Sequence, residues 1–111
     1  MIKTADLERS KRLDELGFKP ETYFVWTPSD WDICGYSLRG LHTREAYPEL
    51  NSTEDIKAPQ AGEMIEWLLG HFFIHITDTH VEIADQRFSL KDGLCNALAD
   101  SVIWVLERKG V

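Results

Sequence analysis

Residues 71–85 alternate. Phe72, Ile74 and Ile76 fall on one side of an extended chain, with His71, Phe73, His75 and Thr77 on the other. After Asp78 and Thr79 the pattern resumes, with Val81 and Ile83 set against His80, Glu82 and Ala84. Successive side chains of a strand point to opposite faces, so a slip of one residue would carry the whole apolar set into water; register is therefore fixed. The stretch reads as a β-hairpin with one apolar and one polar face. It anchors the fold and carries three of the four histidines of the chain.

Helical signals surround it. A first helix is expected over 5–16, with Thr4 as N-cap, Asp6 and Glu8 at the positive end, and Leu7, Leu13 and Leu16 as a narrow apolar stripe. Gly17 supplies the left-handed residue that ends it, and Phe18 folds back onto Leu13. A second helix is expected with Pro59 in its first turn, Met64, Ile65, Trp67 and Leu68 apolar and Gly70 at its end. The third begins at a capping-box-like pair, Ser89 and Asp92. Leu90, Leu94, Ala97, Leu98, Ser101, Val102, Val105 and Leu106 recur at helical spacing, and Cys95, Ile103 and Trp104 widen the apolar surface, so this helix is expected in the core.

Between the first two helices, Tyr23-Phe24-Val25-Trp26-Thr27 reads as an aromatic and β-branched strand, followed by a turn at Pro28-Ser29-Asp30 and a return strand over 31–37. Residues 39–58 read as a long polar loop. The expected order is α-β-β-α-β-β-α. Its economical solution is a two-layer α+β fold with one antiparallel sheet of about four strands packed by helices. A chain of 111 residues is expected to be a single domain over 1–111.

Charge narrows the functional classes. The net charge of −7 disfavours the phosphate backbone of nucleic acids, which is bound through Lys and Arg, and equally disfavours anionic membranes. No apolar run approaches the roughly 20 residues that span a bilayer. Cys34 and Cys95 form neither a CxxC pair nor a disulfide framework; with no signal peptide, a cytoplasmic chain with free thiols is expected.

Four constellations merit weighing. If the hairpin turn is Asp78-Thr79, His75 pairs with Glu82, and His75, His80 and Glu82 cluster; imidazole and carboxylate bind zinc, but a closed site needs a fourth ligand. A solvated cross-strand pair explains them better, because nothing in the sequence supplies that fourth ligand. His71 lies roughly 13 Å from His75 along an extended strand and does not complete the set. Second, Tyr23, Trp26, Phe73 and His75 are candidates for a partner-binding surface, since the first strand is apolar on both faces and Phe73 stands on the polar side of the hairpin. A sheet-mediated homodimer is the commonest use of such a patch, and coverage by a helix or by the long loop is the competing explanation. Third, Arg39, His42 and Arg44 could hold an anion between the sheet and the 39–58 loop. Fourth, Asp30 and Asp32 fit turn chemistry better than acid–base work, and neither Cys34 nor Cys95 has a recognisable base beside it.

Dinucleotide, P-loop, nucleophile-elbow, zincin and EF-hand motifs are absent from the sequence. Three blocks nonetheless resemble a group of small phage and prophage proteins of unknown function. They are Leu7-x-x-Ser10-Lys11-x-Leu13-x-Glu15-Leu16-Gly17-Phe18; Ala58-Pro59 leading to Glu63-Met64-Ile65-Glu66-Trp67-Leu68; and Ser89-Leu90-x-Asp92-Gly93-Leu94 leading to Ile103-Trp104-x-Leu106-Glu107. The blocks are mostly helix caps and core positions, and residues 39–58 and the histidine hairpin fall outside them. The resemblance implies a mobile-element protein working in a bacterial cytoplasm and transfers no activity, cofactor or catalytic residue. The expectation is a non-catalytic accessory protein that binds a protein partner. The alternatives are a small-molecule-binding protein or minor enzyme using Arg39, His42 and Arg44, and a metal protein using the 71–85 hairpin.

Overall fold

The computed structural model describes residues 4–29, 35–46, 48 and 54–109. Its elements are α1 (Leu7–Glu15), β1 (Phe24–Pro28), β2 (Tyr36–Gly40), α2 (Leu41–Ala46), β3 (Ile56–Ala58), α3 (Ala61–Leu69), β4 (His75–Ile76), β5 (His80–Ile83), β6 (Gln86–Ser89) and α4 (Leu94–Lys109), with a 3-10 turn over Leu90–Asp92. The fold is mixed α+β. In place of the one sheet expected from the sequence, the described residues form two antiparallel three-stranded sheets, ordered β2-β1-β3 and β4-β5-β6. Each expected hairpin recruits a third strand of its own. Both additions are hard to see in the sequence. Ile56-Lys57-Ala58 is too short to show a period, and Gln86-Arg87-Phe88-Ser89 has a single apolar residue.

The polar loop expected over 39–58 is therefore corrected: it holds the end of β2, all of α2 and all of β3. In the first sheet Trp26 lies opposite Leu38 on one side and Ile56 on the other. The indole N–H of Trp26 donates to the Ser10 hydroxyl at 3.2 Å, which turns this face toward α1. Val25 and Thr27, on the opposite face, are also buried. Both faces of β1 are thus covered.

The histidine hairpin keeps its expected pairing. His75 faces Glu82, Ile76 faces Val81, and the Thr77 N–H donates to His80 O at 2.9 Å. It is shorter than the alternation implies. The Leu68 carbonyl accepts from both His71 and Phe72 N–H at 2.8 Å, so the end of α3 claims these residues before a strand can form. Beyond β5, Ala84 and Asp85 take positive φ values of 44° and 70°. That is the pair of left-handed residues a two-residue hairpin turn requires, and it sends the chain back as β6.

Helix boundaries shift where a better cap competes. Asp6, not Thr4, caps α1, its carboxylate accepting the Arg9 N–H at 2.9 Å. Thr4 is instead bridged to Gln60, and the Ala5 N–H donates to Pro59 O at 2.9 Å. The expected closure at the other end is present. Gly17 has φ of 80°, the Phe18 N–H reaches Leu13 O at 3.0 Å, and both Leu13 and Phe18 are buried. α3 begins behind Gln60 rather than at Pro59. Ser89 caps the 3-10 turn through the Lys91 N–H, and Gly93, at φ of 96°, separates that turn from α4.

α4 is the central element. Ala97, Leu98, Val102 and Val105 are buried together with Leu13, Met64, Leu68, Val81 and Ile83, drawn from α1, α3 and β5. The buried Ser101 hydroxyl is satisfied by Ala97 O at 2.9 Å. Among the described residues no helix is long and apolar enough to cross a membrane.

Carboxylates far apart in sequence converge on Arg9. Its Nε donates to Asp100 at 2.8 Å, Nη1 to Asp6 at 2.6 Å, and Nη2 to Asp92 and to the second Asp100 oxygen at 3.2 Å. The hydrogen bonds to Asp100 are the main reason its proton is held more tightly than in an ordinary arginine. They tie α1 to α4. Arg9→Ala removes these charge-assisted bonds and leaves three carboxylates together. It is expected to cost about 2 kcal/mol, read as a lower urea midpoint with unchanged slope. Arg12→Ala, which breaks only the exposed pairs with Glu15 and Glu107, is expected to leave the midpoint where it was.

Candidate functional site

The features that most resemble a binding site gather along α3 and the turn that follows it. The helix starts under control of Glu63. One oxygen of Glu63 accepts the Gln60 N–H at 2.7 Å, and the other accepts the Tyr23 N–H at 2.8 Å from the segment before β1. Met64 and Leu68, one turn apart, are buried. Inward placement of those two rotates Glu66 and Leu69 outward, and Leu69 is 60% exposed. Trp67 lies between these faces, half-buried, with Phe18 at 5.9 Å between ring centroids.

After Gly70 the helix closes and the chain reverses. Phe72 turns inward, 6.2 Å from the Trp104 ring of α4. Phe73 turns outward and is 96% exposed. Leu69, Gly70, His71, Phe72 and Phe73 line a cleft of about 240 Å³. A second cleft, of about 380 Å³, lies between the segment before β1 and α3, lined by Pro20, Glu21, Glu63, Glu66 and Trp67. The rings of Trp67 and His71, one from each cleft, meet edge-on at 4.2 Å. The two clefts are therefore neighbours across a single pair of rings.

The residues singled out in the sequence are dispersed. Phe73 and His75 are both exposed, beside and on β4. Tyr23 is 41% exposed, but it lies at the other end of α3, held against Glu63. A β-carbon at position 40 would come within 2.8 Å of the Tyr23 ring, so Gly40 is what lets that ring lie flat along β2. Trp26 is half-buried and faces α1. The four thus form no continuous surface; Leu69, Trp67 and His71 accompany Phe73 instead. The exposed side of α3 was the signal for these. Leu69 stands one residue past the buried pair, where helical periodicity calls for a polar side chain.

Arg39 lies on β2, opposite Val25, and His42 and Arg44 lie on α2. The Nη1 of Arg39 is buried and has no hydrogen-bond partner among the described residues. His80 Nδ1 is within 3.1 Å of the Thr77 hydroxyl and 3.0 Å of the Thr79 hydroxyl, and its Nε2 is 3.5 Å from Glu82. Arg87 Nε also reaches Glu82, at 3.3 Å. Glu82 is thus engaged in a cross-strand polar ladder. Among the described residues no group of three or more His, Cys, Asp or Glu side chains is placed to hold a metal ion. Asp30, Asp32 and Cys34 lie outside the described residues.

Comparisons with protein-family models, with curated proteins and with solved structures find no match to this chain.

Cys95, at the start of α4, is packed against the core, and burial raises its pKa; a backbone hydrogen bond at Ala61 opposes this. A raised pKa leaves less thiolate at any given pH, and the thiolate is the nucleophile. Cys95 is therefore expected to alkylate more slowly with iodoacetamide than a free thiol at pH 8, with its rate rising only at more alkaline pH. Peptide mapping by mass spectrometry, which reads Cys95 separately from Cys34, checks this.

Proposed function

We propose that the protein is a non-catalytic binding protein that engages a protein partner through the surface around the end of α3, with Phe73 as its central contact. The observation that carries this reading is the 96% exposure of Phe73 beside a cleft that it shares with the outward-facing Leu69. Isolated apolar side chains are common on surfaces, but a ring standing free beside a second large apolar group and a concavity is the usual composition of an interface anchor. The resemblance of three sequence blocks to phage and prophage proteins supports an accessory role for a mobile element, and masking of a host protein is one form that role takes.

A photo-crosslinking residue placed at position 73 tests this. In the cell that makes the protein it is expected to give a discrete adduct of higher mass. The same group at exposed Lys91, on the 3-10 turn, should not give it. Absence of an adduct at 73, or identical adducts at both positions, would remove the surface from consideration.

A second reading has one observation behind it. The buried Nη1 of Arg39, without a hydrogen-bond partner among the described residues, is a donor suited to an anion, which supports a small-molecule site at the junction of β2 and α2. Inorganic sulfate or phosphate at millimolar concentration should then raise the melting temperature of the wild-type protein and not that of Arg39→Met. Equal responses in the two proteins would end this reading.

A further inference from the structure

The two clefts along α3 differ in charge, and the difference specifies a partner. Leu69, Phe72 and Phe73 contribute apolar side chains to the cleft at the end of α3, together with Gly70 and His71, and no carboxylate lines it. The cleft beyond Trp67 carries Glu21, Glu63 and Glu66 around an indole ring. We infer that the groove they form takes a protein segment that presents a large apolar side chain next to one or more Lys or Arg side chains. The apolar anchor lies against Phe73 and Leu69, and the cation enters between Glu21, Glu66 and Trp67. The inference rests on the docking surface proposed above and adds the chemistry of what docks there.

Charge complementarity selects this occupant. Glu63 is committed at both oxygens to backbone N–H groups, at 2.7 and 2.8 Å, and so keeps its charge in place as part of the helix start. Glu66 is exposed, and no hydrogen bond or ion pair engages it among the described residues. Glu21 is nearly free: Lys57 approaches it only to 3.8 Å and gives its short bond, 2.8 Å, to Lys19 O. Three carboxylates thus stand against one ammonium. An indole ring is the strongest cation–π acceptor among side chains, and carboxylates beside it favour the same guest.

A second copy of the chain fits less well. A two-fold contact sets the patch against its own copy, which would bring the carboxylates of both acidic clefts into one interface between chains that each carry −7. The apolar end cannot compensate: an exposed aromatic side chain offers about 200 Å², whereas a stable dimer buries about 800 Å² on each partner.

The experiment is selection of a random displayed peptide library on the intact protein, followed by binding measurements with the selected peptides made synthetically. The expected sequences place Lys or Arg next to Leu, Met, Phe or Trp. Phe73→Ser is expected to weaken them about thirtyfold, as for loss of an interface anchor. Glu66→Lys is expected to weaken them about tenfold, and added salt to weaken them further. Both positions are exposed, so both variants should keep the wild-type circular dichroism and melting temperature. Peptides that need Phe73 but lack basic residues and ignore Glu66→Lys would overturn the inference and leave the docking surface standing. Peptides indifferent to Phe73→Ser would overturn both. No enrichment over an unrelated protein would overturn the inference, with crosslinking at position 73 still deciding the surface. A concentration-dependent dimer abolished by Phe73→Ser would assign the surface to a second copy and overturn it as well.

Discussion

Burial of α4 is the constraint on which the other elements depend. Its sixteen residues place apolar groups on more than one side, with Ala97, Leu98, Ala99, Val102 and Val105 all buried. A helix apolar on one stripe can rest on a single sheet; this one has to be surrounded. α1, α3 and the β4-β5-β6 sheet supply that enclosure, each contributing buried residues to the same cluster. This explains why the two hairpins do not merge into one sheet. A continuous four-stranded sheet would cover one side of α4 and leave the rest to water. Division of the strands frees α3 to lie along the helix, and the β2-β1-β3 sheet packs on α1 instead, through Trp26 and Ser10. The Arg9 cluster then secures α1 to α4 from outside the apolar cluster, where partial exposure keeps the desolvation of its charges tolerable.

The same enclosure creates the candidate surface. α3 must present Met64 and Leu68 to α4, which leaves Glu66 and Leu69 no choice but to face away. The helix then ends abruptly, because Leu68 O binds the next two available N–H groups, and the reversal forces Phe72 and Phe73 to opposite sides. Phe72 is explained by the fold: it packs near Trp104. Phe73 is not, since a polar residue would serve the turn equally well. An aromatic group with no structural duty, next to an outward leucine for which the same holds, is what distinguishes this region from the rest of the surface.

What the sequence disclosed follows from the range of the interactions involved. The α1 closure through Gly17 and Phe18 was legible because all its bonds lie within one turn of the chain, and the His75–Glu82 register was legible because alternation and a two-residue turn determine it together. β3 and β6 were hidden for the opposite reason. Ile56 and Ala58 become a strand only because β1 offers an open edge, and Phe88 is the lone apolar residue of β6. Ala84 in a left-handed conformation gives no warning of a turn, because Asn or Gly is the residue that normally marks one. Of the surface, Phe73 could be named from its parity in the hairpin. Trp67 and His71 could not be joined to it. Their 4.2 Å contact depends on His71 continuing the helical turn, whereas alternation places it on an extended strand.

Electrostatics separates two groups of carboxylates. Around Arg9, three aspartates from α1, the 3-10 turn and α4 are answered by a cation of the chain itself, and the result is a fastening between helices. Along α3 the carboxylates of Glu21 and Glu66 have no such answer: Lys57 stands off at 3.8 Å from one, and the other projects from the exposed face. An internal partner for Glu66 would have required only a lysine one turn away, at position 62 or at the helix cap at 70, where the chain has glycine. Glycine at both positions leaves Glu66 without a cation of its own helix face. The unanswered charge of Glu66 and the exposed ring of Phe73 therefore add nothing to the core, and they are the groups that the proposed cationic and apolar partner would engage.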